Sequence, residues 1–402
     1  MATNIMNFNQ VATVLNAIQQ QATGQTGIVA TNTSDFVTVA NTVLQTGMDP
    51  VMNAINQVLT RTIFSVRPYS RKFGIIEVPE SAYGNHVRKL QIADKPVEND
   101  AAYAWPVGYD SGQTPPDGDG QSVDPWELRK AACLQTNFYG KSVFMDHISV
   151  FRDQLTSAFR GPEDLSSFLG MVMQNMTDKL EQNRENLGRA CVANFIGGLI
   201  DEADSLRVVH LLTEYAAASG ITLTMQTMHQ PANFRPFIQW AYAKILSVSD
   251  YMTERSQVFQ TVVNSLPVMR HSPKENQKLF MFSPAATEVA TMALSNTYHD
   301  ELVRLGAYET VNFWQSIDTP DTISVTPGRI GSNGAVVTGS PVVQSAVFAL
   351  LFDEEALGYA VTEQHSDVSP YNPKGRFSNW YYHQTVRLWN DHSEKGVVFL
   401  LD

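Results

Sequence analysis

Nine histidines are spread along the chain, at positions 86, 147, 210, 229, 271, 299, 365, 383 and 392. No two have the four-residue spacing by which one helix face presents a pair of imidazoles to zinc, and no CxxC occurs. His365-Ser366-Asp367 offers two donors for a metal, but that spacing is common by chance and reads as a polar loop. Gly328, Gly331 and Gly334 follow Pro327 without the GxGxxG spacing or the Gly-Lys-Ser/Thr of a phosphate loop, so they read as a turn between strands. No GxSxG elbow is present, and Cys133 and Cys191 have no catalytic setting, which leaves them as reduced, buried thiols. Carboxylates are so abundant that any pair could be drawn as acid and base, and none is singled out. Lys374, Arg376 and Arg387 are interleaved with Phe377, Trp380 and Tyr382, the ingredients of a base-stacking surface. In an acidic chain, three such cations fit salt bridges between subunits or a solvated sheet face better. No catalytic, cofactor-binding or metal-ligating residue is assigned, no cofactor is expected, and the chain is not expected to be an enzyme.

Forty acidic against 28 basic residues give a net charge of −12, a poor field for wrapping nucleic acid. A hydrophobic content of 43% in 402 residues is enough for a sizeable core and argues against wholesale disorder. The N-terminal stretch lacks the basic start and apolar centre of a signal peptide, and no window holds 18 consecutive apolar residues. A soluble product made in the cytoplasm, with no membrane association, is the expectation.

The elements that would position these residues are dominated by one helix over 163–200. Gly161-Pro162 opens it, and Glu163 and Asp164 place negative charge at the positive end of the helix dipole. Leu165, Phe168, Leu169, Val172, Met173, Met176, Leu180, Leu187, Cys191 and Phe195 recur at helical spacing, opposite Gln174, Asp178, Gln182, Glu185 and Arg189. Gly170 and Gly188 read as tolerated costs of about 1 kcal/mol each. At 1.5 Å per residue the rod would run on the order of 55 Å. Such a rod, without a visible active-site motif, suggests a structural part.

The first 60 residues carry only Asp35 and Asp49 as charges and support three short amphipathic helices, at about 8–21, 35–46 and from Asp49-Pro50 onward. A low-charge arm of this kind is expected to lie along another surface, of its own subunit or a neighbour's, with an ordinary N-terminal helical layer as the alternative. Strands are predicted at 73–78 and 86–92, then a Pro-, Gly- and Asp-rich excursion from Lys95 to Pro125 that holds or adjoins Trp105, Tyr109 and Trp126. These aromatics are either contact anchors or fold back on their own domain. Further strands are predicted at 135–144 and 148–151. A mixed block over 205–340 has helices at about 232–247, 250–264, from Ser283-Pro284 and at 298–305, with strands at 278–282, 322–325 and 335–337. Strands return at 347–352, 377–389 and 397–401, with 390–395 as a hairpin loop.

The order of these parts resembles the major capsid proteins of tailed bacteriophages, the Hong Kong 97-like fold. The textual likeness is densest at Asn372-Pro373-Lys374-Gly375-Arg376-Phe377, Tyr381-Tyr382-His383, Trp389-Asn390-Asp391 and Glu394-Lys395-Gly396-Val397-Val398, with a further echo from Met48-Asp49-Pro50 to Pro68. The resemblance implies an α+β fold with an N-terminal arm over 1–68 and an extended loop over 69–134 that reaches across an adjacent subunit. It implies peripheral-domain strands and a spine helix over 135–204, an axial domain over 205–345, and C-terminal strands over 346–402 that complete the peripheral sheet. The spine-helix core would then be Leu165, Phe168, Leu169, Val172, Met176, Leu180 and Leu187. Candidate intersubunit contacts are Trp105, Tyr109, Trp126, Lys95, Phe36 and Val39. Some family members crosslink a loop lysine to a neighbour's asparagine. Lys89 and Lys95 lie in the loop, but no partners match residue by residue, so that chemistry is not carried over. The implied function is a shell of hexamers and pentamers around double-stranded DNA, without sequence-specific binding, assembled in the host cytoplasm and residing in the virion. Portal, scaffold and decoration proteins are further partners that the resemblance allows. The rivals are an encapsulin-type compartment shell and, from another class, a soluble oligomeric enzyme with an unrecognised site.

Overall fold

The computed structural model describes residues 8–23, 30, 33–59, 72–78, 87–93, 132–265, 268–284, 286–287 and 308–402. The elements run α1 (Phe8–Thr23), α2 (Thr33–Gln45), α3 (Met48–Leu59), a 3-10 turn (Lys72–Ile76), β1 (Val87–Ala93), β2 (Ala132–Phe138), β3 (Lys141–Phe151), α4 (Arg152–Ala158) and α5 (Pro162–Glu202). They continue with β4 (Val208–His210), α6 (Leu211–Ser219), α7 (Met225–Met228), α8 (Pro231–Thr253), β5 (Gln277–Phe282), β6 (Tyr308–Val311), β7 (Ile323–Val325), β8 (Gly328–Ile330) and β9 (Val336–Thr338). The last are β10 (Val342–Gln344), β11 (Val347–Asp353), β12 (Leu357–Val368), β13 (Phe377–Asn390) and β14 (Gly396–Leu400). Two compact units divide the chain: one takes residues 1–85, 139–191 and 358–389, the other 86–138, 192–357 and 390–402.

In the first unit, β12, β13 and β3 form a three-stranded sheet, with β13 antiparallel to β3 from Phe377 opposite Phe151 to Arg387 opposite Lys141. Strand alternation sends Trp380 and Val150 to the covered face and leaves Val143, Met145 and Phe151 exposed. The N-terminal helices bury a helical stripe each: Val11, Val14, Leu15 and Ile18; Phe36, Val39, Ala40 and Val43; Val51, Met52 and Ile55. These stripes share one core with Leu155, Leu165, Phe168, Val172 and Trp380. At roughly 1.5–3 kcal/mol per fully buried large aliphatic side chain, the three helices are a substantial part of this unit's stability. The low-charge arm thus lies along a surface of its own subunit, with its stripes packed on residues from α4, the start of α5 and β13. Asp49 sits in the first turn of α3, and its carboxylate accepts a hydrogen bond of 2.6 Å from the Tyr371 backbone N–H.

The helix α5 has 41 residues, about 60 Å at 1.5 Å per residue. Gly188 has a packing reason beyond tolerance: a Cβ there would stand 2.7 Å from Phe73 Cβ. Phe73 itself lies in the 3-10 turn, where a strand over 73–78 was predicted. Its backbone N–H donates to buried Glu185, and Arg189 both pairs with Glu185 at 2.6 Å and lies over the Phe73 ring.

In the second unit, a five-stranded sheet has the order β4-β14-β11-β5-β6. Strand β11 is antiparallel to both β14 and β5, while β14/β4 and β5/β6 are parallel. Every residue of β11 and β14 is buried, as expected of apolar runs covered on both faces. One face packs on α6 and α8 through Leu212, Phe237, Ile238 and Ile245 against Met281, Phe348, Leu351, Val397 and Phe399. On the other, Phe352 meets Phe195 of α5 and Phe280 of β5 at centroid distances of 6.4 and 5.3 Å.

These pairings correct three expectations. The strands at 347–353 and 396–400 join the second unit's sheet, not the one with β13, so 390–395 is no hairpin loop. The predicted helix at 250–264 does not form, because α8 ends at Thr253 and an irregular segment follows. His365-Ser366-Asp367 lies in β12, not in a loop. The predicted helix at 298–305 lies outside the described residues.

Candidate functional site

Strand β1 pairs antiparallel with β2, bringing Ala93 opposite Ala132 at the two ends of the polar excursion. Because side chains alternate along a strand, β1 presents two different faces. Lys89 and Gln91 turn inward. The Lys89 ammonium pairs with Glu394, with Asp391 at 3.3 Å and with Glu355 at 3.1 Å. Gln91 donates to Glu394 at 3.1 Å and accepts from Arg270 at 2.5 Å. Arg270 also pairs with Glu394 and donates to Ser393 at 2.9 Å. The partner strand adds Leu134, packed on Val263 and Val268. The opposite face of the ribbon carries Leu90, 57% exposed, and Ile92, 71% exposed, with Gln135 and Cys133 across from them. Exposure of Cys133 corrects the expectation of two buried thiols. Cys191 is buried, and burial pushes its thiol up to about 12.

The inward face lands on a run that looks like a surface turn: Asp391, His392, Ser393, Glu394 and Lys395 are all buried. Most of the polar groups there have partners, His392 Nδ1 being a buried exception. Lys395 donates to the Met252 and Glu254 carbonyls at 3.2 and 2.7 Å and to Ser256 at 3.2 Å. Arg207, wholly buried, donates to Glu202 at 2.7 Å, Thr261 at 2.8 Å and the Gly396 carbonyl at 3.3 Å. Burial lowers the pKa of both Arg207 and Arg270, against the pull of nearby carboxylates. His392 stacks on Phe195 at a centroid distance of 4.8 Å, in a space left by Gly198, where a Cβ would overlap the imidazole. Burial, with Arg207 nearby, lowers its pKa to about 3, so the ring is neutral. The arrangement joins β1, Ser256, Thr261, Arg270 and the 391–395 run into one charged hub. It holds the base of the excursion in place. It does not present a nucleophile, a base and an open substrate position together.

Trp105, Tyr109, Trp126 and Lys95 lie outside the described residues. Phe36 is 0% exposed and Val39 1%, inside the core of their own unit. Those side chains have no surface left for a neighbour, which corrects their assignment as intersubunit contacts. Of the spine-helix residues, Leu165, Phe168 and Val172 are buried, while Met176, Leu180 and Leu187 are half-buried. The side chain of Leu169 is outside the described set. Arg376 pairs with Asp153 of the same chain at 3.0 Å, and Trp380 is in the core, so Trp380 is not available for stacking on a base. Sequence reasoning missed Arg207, Arg270, Asp391, His392 and Glu394. The available signal was a dense two-sign run immediately before the buried strand at Gly396. Among the described residues, no helix is long and apolar enough to cross a membrane.

The family model for Phi29-like phage major capsid protein matches residues 15–400. Among solved structures, a chain in the structure of head fiber and inner core protein gp22 of native bacteriophage P68 is similar, with a TM-score of 0.51 at 10% identity over 85% of this chain and 87% of that one. The capsid structure of Staphylococcus phage Andhra gives a TM-score of 0.49 at 10% identity, covering 83% and 85%. The capsid structure of cyanophage P-SCSP1u gives 0.45 at 10% identity, covering 89% and 95%. Comparison with curated protein sequences gave no match.

Proposed function

Because the chain belongs to the Phi29-like phage major capsid protein family, with the Hong Kong 97-like fold, we propose that its copies assemble as hexamers and pentamers into a closed icosahedral head. The match over residues 15–400 carries this reading. Function is mechanical: the chain is a shell component, not an enzyme, and it resides in the virion after assembly in the host cytoplasm. Residues 69–134 serve as the extended loop, held at its base by Lys89 and Gln91 and resting on an adjacent subunit. The exposed face of Leu90, Ile92 and Cys133 is the apolar part of that contact. The mixed block over 205–345 serves as the axial region at ring centres. Lys89 is engaged by three carboxylates of its own chain, so it is a positioning group and not a crosslinking one.

The net charge of −12 suits a container. An acidic inner surface repels packaged DNA and leaves it free to slide, with counterions screening the rest over roughly 8–10 Å. Many repeated contacts, each modest, give the shell its stability.

Sedimentation velocity of the purified protein tests the reading. Closed assemblies of many copies are expected, with the mass set by whole hexamers and pentamers. Small discrete oligomers under all assembly conditions would favour a different role.

A further inference from the structure

We propose that one face of the neighbouring strands β12 and β13 forms a binding site for a divalent transition metal of the zinc class, with His365, Asp367 and His383 as ligands. His365 and Asp367 are two apart on β12 and so share a face, and His383 comes from the neighbouring strand. One ligand atom from each of the three lies within 4.8 Å of the others. Ligands bonded at about 2.0–2.1 Å in tetrahedral geometry stand roughly 3.3 Å apart, so the side chains must draw together and the two near-parallel imidazoles must rotate to aim one nitrogen each at the ion. Two imidazoles and one carboxylate are borderline donors. They suit Zn²⁺, Ni²⁺ or Cu²⁺ over the hard cations Mg²⁺ and Ca²⁺.

The surroundings support a ligand role. The rings of His365 and His383 are stacked at 4.8 Å with planes 17° apart. His365 Nε2 faces Asp367 at 3.6 Å, while Nδ1 faces Glu363 at 3.7 Å, both too long for hydrogen bonds. Metal on Nε2 would leave the Nδ1 proton directed at Glu363, the outer carboxylate that commonly fixes a ligating histidine. The histidines and Asp367 are at least partly exposed, so the ion enters from solvent and keeps an open position. With three protein ligands and one position free, a donor from a second copy could complete the coordination. All three protein ligands come from one chain, so the site stands whether or not the shell reading holds.

Isothermal titration with ZnCl₂ alone, on chelator-treated full-length protein without a histidine tag, tests this. One zinc per chain is expected, with no heat from MgCl₂. His365→Ala and His383→Ala should each abolish binding, and Glu363→Gln should weaken it about tenfold. His147→Ala, an exposed histidine that pairs with Tyr381 outside the group, should bind as the parent does. Near-ultraviolet circular dichroism checks that the variants fold, and His365→Gln and His383→Gln replace any that do not. Absence of zinc binding, unchanged binding in either histidine variant, or magnesium binding as strong as zinc would overturn the proposal.

Discussion

Glu394 is the residue on which the loop base depends, since Lys89, Gln91 and Arg270 all converge on its carboxylate. Removing one partner of a buried ionic cluster leaves the others desolvated without compensation. Glu394→Ala should therefore cost about 3–5 kcal/mol, read as a lower urea midpoint for unfolding. A midpoint within error of the parent would mean that the hub is not a structural clamp. His392 makes a second, pH-dependent claim. Its folded pKa of about 3 lies below the ordinary 6.5, so the unfolded chain takes up a proton before the folded chain does. The stability it contributes is complete above about pH 6.5 and is lost as pH falls towards 3, at up to about 1.4 kcal/mol per pH unit. Urea midpoints measured across that window should fall more steeply for the parent than for His392→Gln, and parallel slopes would contradict the assignment. This hub was hard to read from sequence because five consecutive polar residues ordinarily mark a solvated turn. Only the three-dimensional convergence of Arg207, Arg270 and Lys89 makes their burial affordable.

Elements with strong local periodicity were legible. The 41-residue helix was predicted to within two residues at either end, because its proline start and its apolar spacing are local signals. The apolar run of β11 and the alternation of β13 were legible for the same reason. Pairing was not: nothing local says that β14 joins β11 and β4 instead of extending the sheet of β13. The arm was half legible. Its stripes at Val11, Phe36 and Val51 were seen, but their partners, Leu155, Leu165, Phe168 and Trp380, lie over 90 positions away in sequence. Leu165 is the point where the arm helices and α5 meet, fully buried in that core. Leu165→Asp should destabilise the chain by several kcal/mol by burying an unpaired carboxylate. A thermal transition unchanged from the parent would show that this face of α5 is not packed.

At the scale of the whole molecule, the chain puts its polar investment into holding parts in position. One unit wraps three N-terminal helices and a three-stranded sheet around a common core. The other clamps the base of a long excursion to the chain's own end. That use of polar groups fits a member of a phage major capsid protein family, whose work is to contact copies of itself. The family could be named from the order of elements and short stretches such as Asn372 to Phe377, whereas residue-level contacts could not, since Phe36 and Val39 proved internal. Cryo-electron microscopy of the purified, assembled protein tests the central claim most directly. Closed shells hundreds of ångströms across, built from six-fold and five-fold rings of this chain, are the predicted result. Discrete small oligomers with no shell under any assembly condition would contradict it.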